Sequence, residues 1–511
     1  MINIKSIRKW HLLLLWPAAL ASIIYLVSAF THPLMTWTGP QAKVMFPPSY
    51  SLAENNTFEL SKIINSLSMS DAKMAKLVPY KDEVLLQITQ GLSEPRRYFS
   101  ITNNTEIINH DEHQAVWLAQ HYLKQELPIA KVSLISEFSD HYPNVNRLLP
   151  VYHIQYDTAD HLNVFIHTDT QALAGISNDW KKSLRWIFQT FHSFNWLNGY
   201  EPLRLLVISL LITTLIAMSI TGILFLLKLK RTTTIVQTSR RWHRRLGWFI
   251  TVPFLCFCIS GFYHLWQSTL VKADVGIQLT QNLDFNKWSS VTTYNDSLRS
   301  MQINQVSLLQ VQLQPNTELR NLYRFSVSPI QSEQNNTQAV NTREKRFKGQ
   351  ASEKSALYID ADTGESLGNL DEILAIQQAA NIFNTDNPNT LDSQLVTHFG
   401  LGYDFRNKRL PVWRIESKHG EQIFIDPITH ILVDRNTLSS RLEGYSFSFL
   451  HKWNMLTPVL GRFNRDMLIL FTLCLIFLLT SLGLLMRLRA NKVSVKRKLT
   501  PKKIDMTDKA A

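Results

Sequence analysis

Four uncharged apolar runs constrain this chain more than any other feature: Leu12 to Thr31, Leu205 to Leu227, Leu246 to Trp266 and Met467 to Met486. Each is long enough to cross a bilayer, which takes about 20 helical residues. They divide the rest into two long polar blocks, about 33–200 and 269–462, and three short basic pieces. The mean hydropathy of −0.08 is an average over both kinds of segment and excludes a chain made mostly of membrane. At 45% apolar, 11% aromatic and 18% charged, the composition also excludes a disordered or low-complexity protein.

The net charge of +13 is topological. Lys5, Arg8 and Lys9 give +3 before the first run. Lys228, Lys230, Arg231, Arg240, Arg241, Arg244 and Arg245 give +7 between the second and third, and the tail from Arg487 gives another +7. Everything else carries −4. Short basic pieces beside spans stay in the cytoplasm, so both termini are expected inside and both polar blocks outside. Nucleic acid finds no folded basic face here. A basic start and an apolar core also fit a cleavable signal peptide, but the first run is longer than a typical signal core and has a partner in mid-chain. Cys256, Cys258 and Cys474 all fall within the runs, so the outside blocks must fold without disulfides. Cys256 and Cys258 point to different helix faces, which suits packing better than joint metal ligation.

That partner belongs to an internal repeat. Lys9-Trp10-His11 precedes His32 by the interval that separates Arg241-Trp242-His243 from His264, with Ser28/Ser260 and Phe30/Phe262 in the same register. His192-Ser-Phe-Asn195 precedes the second span as His451-Lys-Trp-Asn454 precedes the fourth; Arg204/Arg465 and Gly222/Gly483 follow. In the polar blocks Pro150-Val-Tyr-His-Ile154 leads to Val164-Phe-Ile166, and Pro411-Val-Trp-Arg-Ile415 leads to Ile423-Phe-Ile425, both alternating hairpin patterns. Helical spacing upstream predicts helices over about 112–124 and 371–383, after strands at Tyr98 to Ile101 and Leu357 to Ile359. The offset between halves grows from 232 at the first histidines to 260 at Tyr98/Tyr358, which places an insertion between them; the polar stretch 328–354 is the candidate and reads as a mobile loop. Paired spans running in the same direction imply a pseudo-twofold along the membrane normal.

Six of the sixteen histidines take part in this repeat: His11, His32, His192, His243, His264 and His451. Over 21 helical residues the chain rises about 31 Å and the two side chains end about 60° apart, so the first and third spans each carry a histidine at both membrane edges. The pseudo-twofold would bring His11 near His243 inside and His32 near His264 outside, with His192 and His451 also outside. Paired imidazoles on facing helices are how a bundle ligates haem axially. Ser28, Ala29, Ser260 and Gly261 supply small residues for the gap, and Arg204 and Arg465 could pair with propionates. The competing reading makes the histidines interfacial packing residues and the arginines snorkelling anchors. For His11 and His243, a phospholipid or quinone headgroup also competes. His110-x-x-His113 has no counterpart in the second half, and His153, His161 and His167 read as surface residues of the first hairpin. Zinc-protease, P-loop, dinucleotide and serine-hydrolase patterns do not occur.

These residues resemble the PepSY-associated transmembrane family of bacterial inner-membrane proteins. The resemblance rests on Arg240-Arg-Trp-His243-Arg-Arg-Leu-Gly247, on Ser219-Ile-Thr-Gly222, and on the outside segments ending at Val164-Phe-Ile166 and Ile423-Phe-Ile425, and it extends from about 8 to 490. In the first repeat His11 is followed by Leu12-Leu13 instead of the basic-Leu-Gly run. The family includes iron-regulated membrane proteins and a haem-containing reductase of ferric siderophores. The resemblance implies an α+β membrane protein with four transmembrane helices in two tandem repeats, each carrying an extracytoplasmic PepSY-like domain. The expected organisation is 1–32 (N-terminus and first span), 33–200 (first periplasmic domain), 201–229 (second span), 230–245 (basic loop) and 246–268 (third span). It continues with 269–462 (second periplasmic domain), 463–487 (fourth span) and 488–511 (basic tail).

The function implied is haem b electron transfer that reduces a ferric siderophore or another iron chelate on the periplasmic side. Two haems would be held by His32, His264, His192 and His451, with His11 and His243 at the opposite edge. Electrons would come from quinol or a cytoplasmic donor, and no acid–base catalyst is needed. The alternative is a non-redox membrane-anchored module that binds a peptide, protease or transporter partner.

Overall fold

All four apolar runs form helices, and each helix extends beyond its run: Ile4–Thr38, Glu201–Lys228, Thr238–Leu270 and Thr457–Leu499. The computed structural model describes residues 3–44, 47–48, 50, 63, 72–91, 93–228, 238–271, 275–285, 288, 301–313, 318–329 and 355–499. Two units result. The first comprises residues up to 38, 183–271 and those from 442 onward; the second comprises 39–182 and 272–441. Most of the expected insertion (330–354), 229–237 of the basic loop and 500–511 of the tail lie outside the described residues.

In the first unit each spanning helix packs on two others in the ring order first, second, third, fourth, so the first and third stand on a diagonal. Their inner faces are lined with small and branched residues, among them Ala18, Ala21, Ile212, Leu215 and Cys258 and Leu26, Ile250, Leu473 and Ile476. Leu13, Trp16, Leu20, Leu206, Leu210, Phe249 and Phe471 remain exposed, as expected of side chains that meet lipid. Buried hydroxyls satisfy themselves locally: Ser28 donates to the Ile24 carbonyl, Ser260 to that of Cys256 and Thr251 to that of Gly247. The fourth helix is interrupted near its start at Gly461, whose φ of 73° is open to glycine at little cost.

The second unit differs from two separate domains. Met74–Tyr80 pairs antiparallel with Met301–Val311, setting Lys76 opposite Ser307, and so joins strands of both polar blocks into one eight-stranded sheet. The physical reason is edge protection: each strand would otherwise present an unpaired edge, and pairing with the matching strand of the other block covers both. The expected boundaries also shift, because 183–200 and 442–462 belong with the helices of the first unit.

Helix His110–Leu123 packs beside the meander Ile129–Ile135, Val151–Tyr156, Asn163–His167 and Ala172–Ser177. Helix Asp371–Phe383 does the same beside Asp392–Val396, Val412–Glu416, Gln422–Ile425 and Ile431–Asn436. Both helices fall within two residues of the spans that their periodicity predicts.

One face of the shared sheet is apolar, built on Leu77, Leu86, Ile88, Val306, Leu308 and Phe325. The other carries a buried polar file across six strands: Tyr98, Gln87, Lys76, Ser307, Arg324 and Tyr358 stand opposite one another in sequence. Tyr98 donates to Asp111 at 2.8 Å and Tyr358 to Asp371 at 2.7 Å. Arg324 grips both oxygens of Asp371, each at 2.7 Å. Arg96 pairs with Asp169, and Arg409 with Asp426 at 2.7 Å. His167 is a correction: it is buried, 2% exposed, and its Nδ1 meets the Thr170 hydroxyl at 2.7 Å. It closes its strand where the meander turns inward, a placement that strand alternation alone does not reveal. His161 does lie at the surface, bonded to Asp179.

Candidate functional site: two histidine stacks in the helical unit

The segments just before the second and fourth spans present His192 and His451 to the bundle. Helix Asp179–Phe191 ends one residue before His192, and Phe194 then takes a left-handed φ of 54°. Helix Leu438–Ser446 runs on through a π-helical turn, Phe447–His451, and Trp453 takes a φ of 52°. These reversals turn the chain into the next helix and leave each histidine against a neighbouring one.

Two histidine–phenylalanine groups follow, one stacked throughout and the other only in part. The His192 ring lies on Phe188, centroids 4.6 Å apart and planes 16° from parallel, whereas His32 meets Phe188 at 5.8 Å and is tilted by 52°. His451 lies on Phe447 at 4.6 Å and 19°, and His264 stacks on Phe447 at 4.1 Å and 18°. Each phenylalanine is one helical turn before its histidine, the spacing that stacks side chains. The Nδ1 atoms are held by matching hydroxyls: Ser28 Oγ is 3.1 Å from that of His192 and Ser260 Oγ 3.2 Å from that of His451. Glu443 lies 2.6 Å from His264 Nδ1.

The four rings form one cluster. His192 and His451 precede the spanning segments; burial first, and neighbouring histidines second, lower them to about 4 and about 3. Those neighbours are His32 and His264 for His192, and His192 and His264 for His451. Both rings are neutral at pH 7, with a lone pair to offer. Fixing Nδ1 by a hydrogen bond leaves Nε2 free to accept a ligand, as in the outer arrangement of histidines that bind metals.

At the opposite end His11 Nδ1 lies 3.0 Å from Thr221 Oγ1, and His243 Nδ1 lies 3.1 Å from the Leu479 carbonyl. The repeated glycines face these rings. A Cβ on Gly222 would stand 3.8 Å from His11 Cε1, and one on Gly483 3.3 Å from His243 Cε1. At the first end a Cβ on Gly261 would stand 3.6 Å from His451 Cε1. Only at Gly483 would a side chain press on the imidazole; at Gly222 and Gly261 a Cβ would stand in ordinary contact.

The two arginines are occupied by protein partners. Arg204 bonds Glu201 at 2.9 Å and the Ser193 carbonyl at 3.1 Å. Arg465 bonds Asp466 at 3.0 Å, Thr457 at 3.0 Å and Asn454, while Trp37 also donates to Asp466. Sequence reasoning missed Phe188, Phe447, Glu443, Lys452 and Arg462; the last two lie, with Arg465 and Asp466, within electrostatic reach of His32. The phenylalanines had a signal, for they keep the register of the repeated His192 and His451 motifs. His110 packs between Tyr80 and Tyr98. Among the described residues no group of three or more His, Cys, Asp or Glu is placed to chelate a bare metal ion.

Four spanning helices and an α+β unit in one chain make this a multi-pass membrane protein in a lipid bilayer. The family profile described as PepSY-associated TM region matches residues 12–297, more than half of the chain, and the chain belongs to that family. No curated protein matches it.

Proposed function

We propose that this chain is a haem b electron-transfer protein of the bacterial inner membrane that reduces a ferric siderophore or similar chelate on the periplasmic side. The observation that carries the reading is the stacking of His192 on Phe188 and of His451 and His264 on Phe447, with the ring Nδ1 atoms of all three histidines tied to protein oxygens. Gly483 adds support at one end of the bundle, because a Cβ there would press on the His243 imidazole. In this reading the basic pieces are cytoplasmic and the α+β unit is periplasmic, with each half of the chain contributing a PepSY-like helix and meander.

Bound haem would supply a one-electron couple at the histidines. The chain's own residues do the rest. Ser28 and Ser260 orient the rings of His192 and His451. Lys452, Arg462 and Arg465 put positive charge near His32, where propionates would be drawn. The ferric chelate is the substrate; its iron leaves once reduced, because such chelators hold Fe(II) weakly. Electrons would enter from quinol or a cytoplasmic donor, and the inner His11/His243 pair stands where such a relay would begin.

The second reading, a non-redox module that binds a peptide, protease or transporter partner, is favoured by one fact: the rings already have packing partners. Full-length protein purified from haem-replete cells separates the two. The expected result is a visible haem band that sharpens with dithionite and is lost in His32→Ala and His264→Ala. Colourless, fully folded protein would overturn the haem reading and leave the module.

A further inference from the structure

The two histidine–phenylalanine groups share a sequence register but differ in packing and in electrostatic environment: His32 is tilted by 52° on Phe188, whereas His264 lies 18° from parallel on Phe447. Glu443 sits one helical turn before Phe447 and meets His264 Nδ1 at 2.6 Å, its side chain only 16% exposed. In the register that matches Phe188 to Phe447 and His192 to His451, the residue corresponding to Glu443 is Leu184, which is buried and apolar. Among the described residues no hydrogen bond reaches the His32 ring. Lys452, Arg462 and Arg465, with Asp466, lie within electrostatic reach of His32, but Lys452 also lies 4.8 Å over the Phe447 ring and acts on His451, so it is common to both groups.

We propose that Glu443 is a positioning residue that makes the centre ligated by His264 the lower-potential one of two inequivalent haem sites, leaving the His32 centre the higher. The inference rests on the haem reading given above. Its physical basis is general. A carboxylate accepting from a ligating imidazole makes that imidazole a stronger donor and fixes its orientation, which favours the oxidised metal. Because Lys452 is common to both groups, the asymmetry rests on Glu443 beside His264 and on Leu184 in the matching place, and these two set the order of the potentials.

The test is an optical redox titration of full-length holoprotein. Wild type should resolve two couples. Glu443→Gln should raise the lower one by about tenfold in its equilibrium constant, which is about 59 mV for one electron, and leave the upper one in place. Glu443→Asp should recover part of the shift. Should Glu443→Gln fold poorly, Leu184→Glu provides a reciprocal readout: it should lower the upper couple. A single couple in wild type, an unchanged lower couple in Glu443→Gln, or a shift confined to the upper couple would each overturn the inference while the haem reading stands. A wild-type protein without haem overturns both.

Discussion

On the haem reading, replacing His192 and His451 together by alanine should remove most of the haem from the purified protein. Both imidazoles are held from behind, by Ser28 at 3.1 Å and Ser260 at 3.2 Å, and both lie flat on a phenylalanine. An axial ligand so fixed contributes affinity because little ordering remains to be done on binding. Alanine deletes the imidazole nitrogen that would ligate. The serines offer a graded control. Ser28→Ala with Ser260→Ala removes only the outer hydrogen bonds, and loss of such partners costs about 10–100-fold in metal affinity. Haem-to-protein ratio by pyridine haemochrome and protein assay reads both. The double histidine variant should fall far below wild type, and the double serine variant should lose haem only on dilution or against a haem-binding competitor. Undiminished haem in the histidine variant would exclude these rings as ligands.

How far the sequence could be read varies with the range of the interaction. The spans were legible because bilayer crossing imposes length and apolarity on a continuous segment. The helix over 371–383 was legible for the same local reason, through its periodicity. Pairing of Met74–Tyr80 with Met301–Val311 was not, because no local pattern names a partner more than two hundred residues away. In the site, repetition pointed to all six histidines, and the structure places each against a neighbouring helix or segment. Repetition cannot point to what breaks it, and Glu443 has no acidic counterpart in the first half. His167 was misread for a related reason. Alternation tells which side of a strand a residue faces, but not that both sides of Asn163–His167 are covered.

In the polar file of the shared sheet, Arg324→Met and Lys76→Met should change stability in opposite directions. Arg324 makes two 2.7 Å bonds to Asp371 and is 2% exposed. Methionine keeps the bulk of the side chain but leaves the Asp371 carboxylate buried with only Tyr358 and its own backbone contacts; breaking a buried pair this way costs about 3–5 kcal/mol. Lys76 is as buried, at 3% exposed, yet among the described residues its Nζ has no hydrogen-bond partner. Burial, as the largest cause, lowers its pKa from 10.5 to about 8, with Asp169 and Asp426 raising it and Arg409 and Arg96 lowering it further. Between pH 8 and 10.5 the native chain therefore binds fewer protons here than the unfolded chain, and stability from this group rises with pH across that window. At about 1.4 kcal/mol per unit the full penalty, present below pH 8, is of order 3 kcal/mol. Lys76→Met removes the penalty and should stabilise the unit at pH 7 by about 1–3 kcal/mol. Tyr98 and Tyr358, held well above the usual phenol range by burial, oppose the trend near pH 10. The diagnostic is consequently the difference between wild type and Lys76→Met, which should shrink as pH rises from 8. Amide hydrogen exchange of the strands Met74–Tyr80 and Met301–Val311 in the full-length protein measures it. Faster exchange in Lys76→Met at pH 7, or a difference that does not narrow with pH, would show that a neighbouring carboxylate already neutralises the lysine.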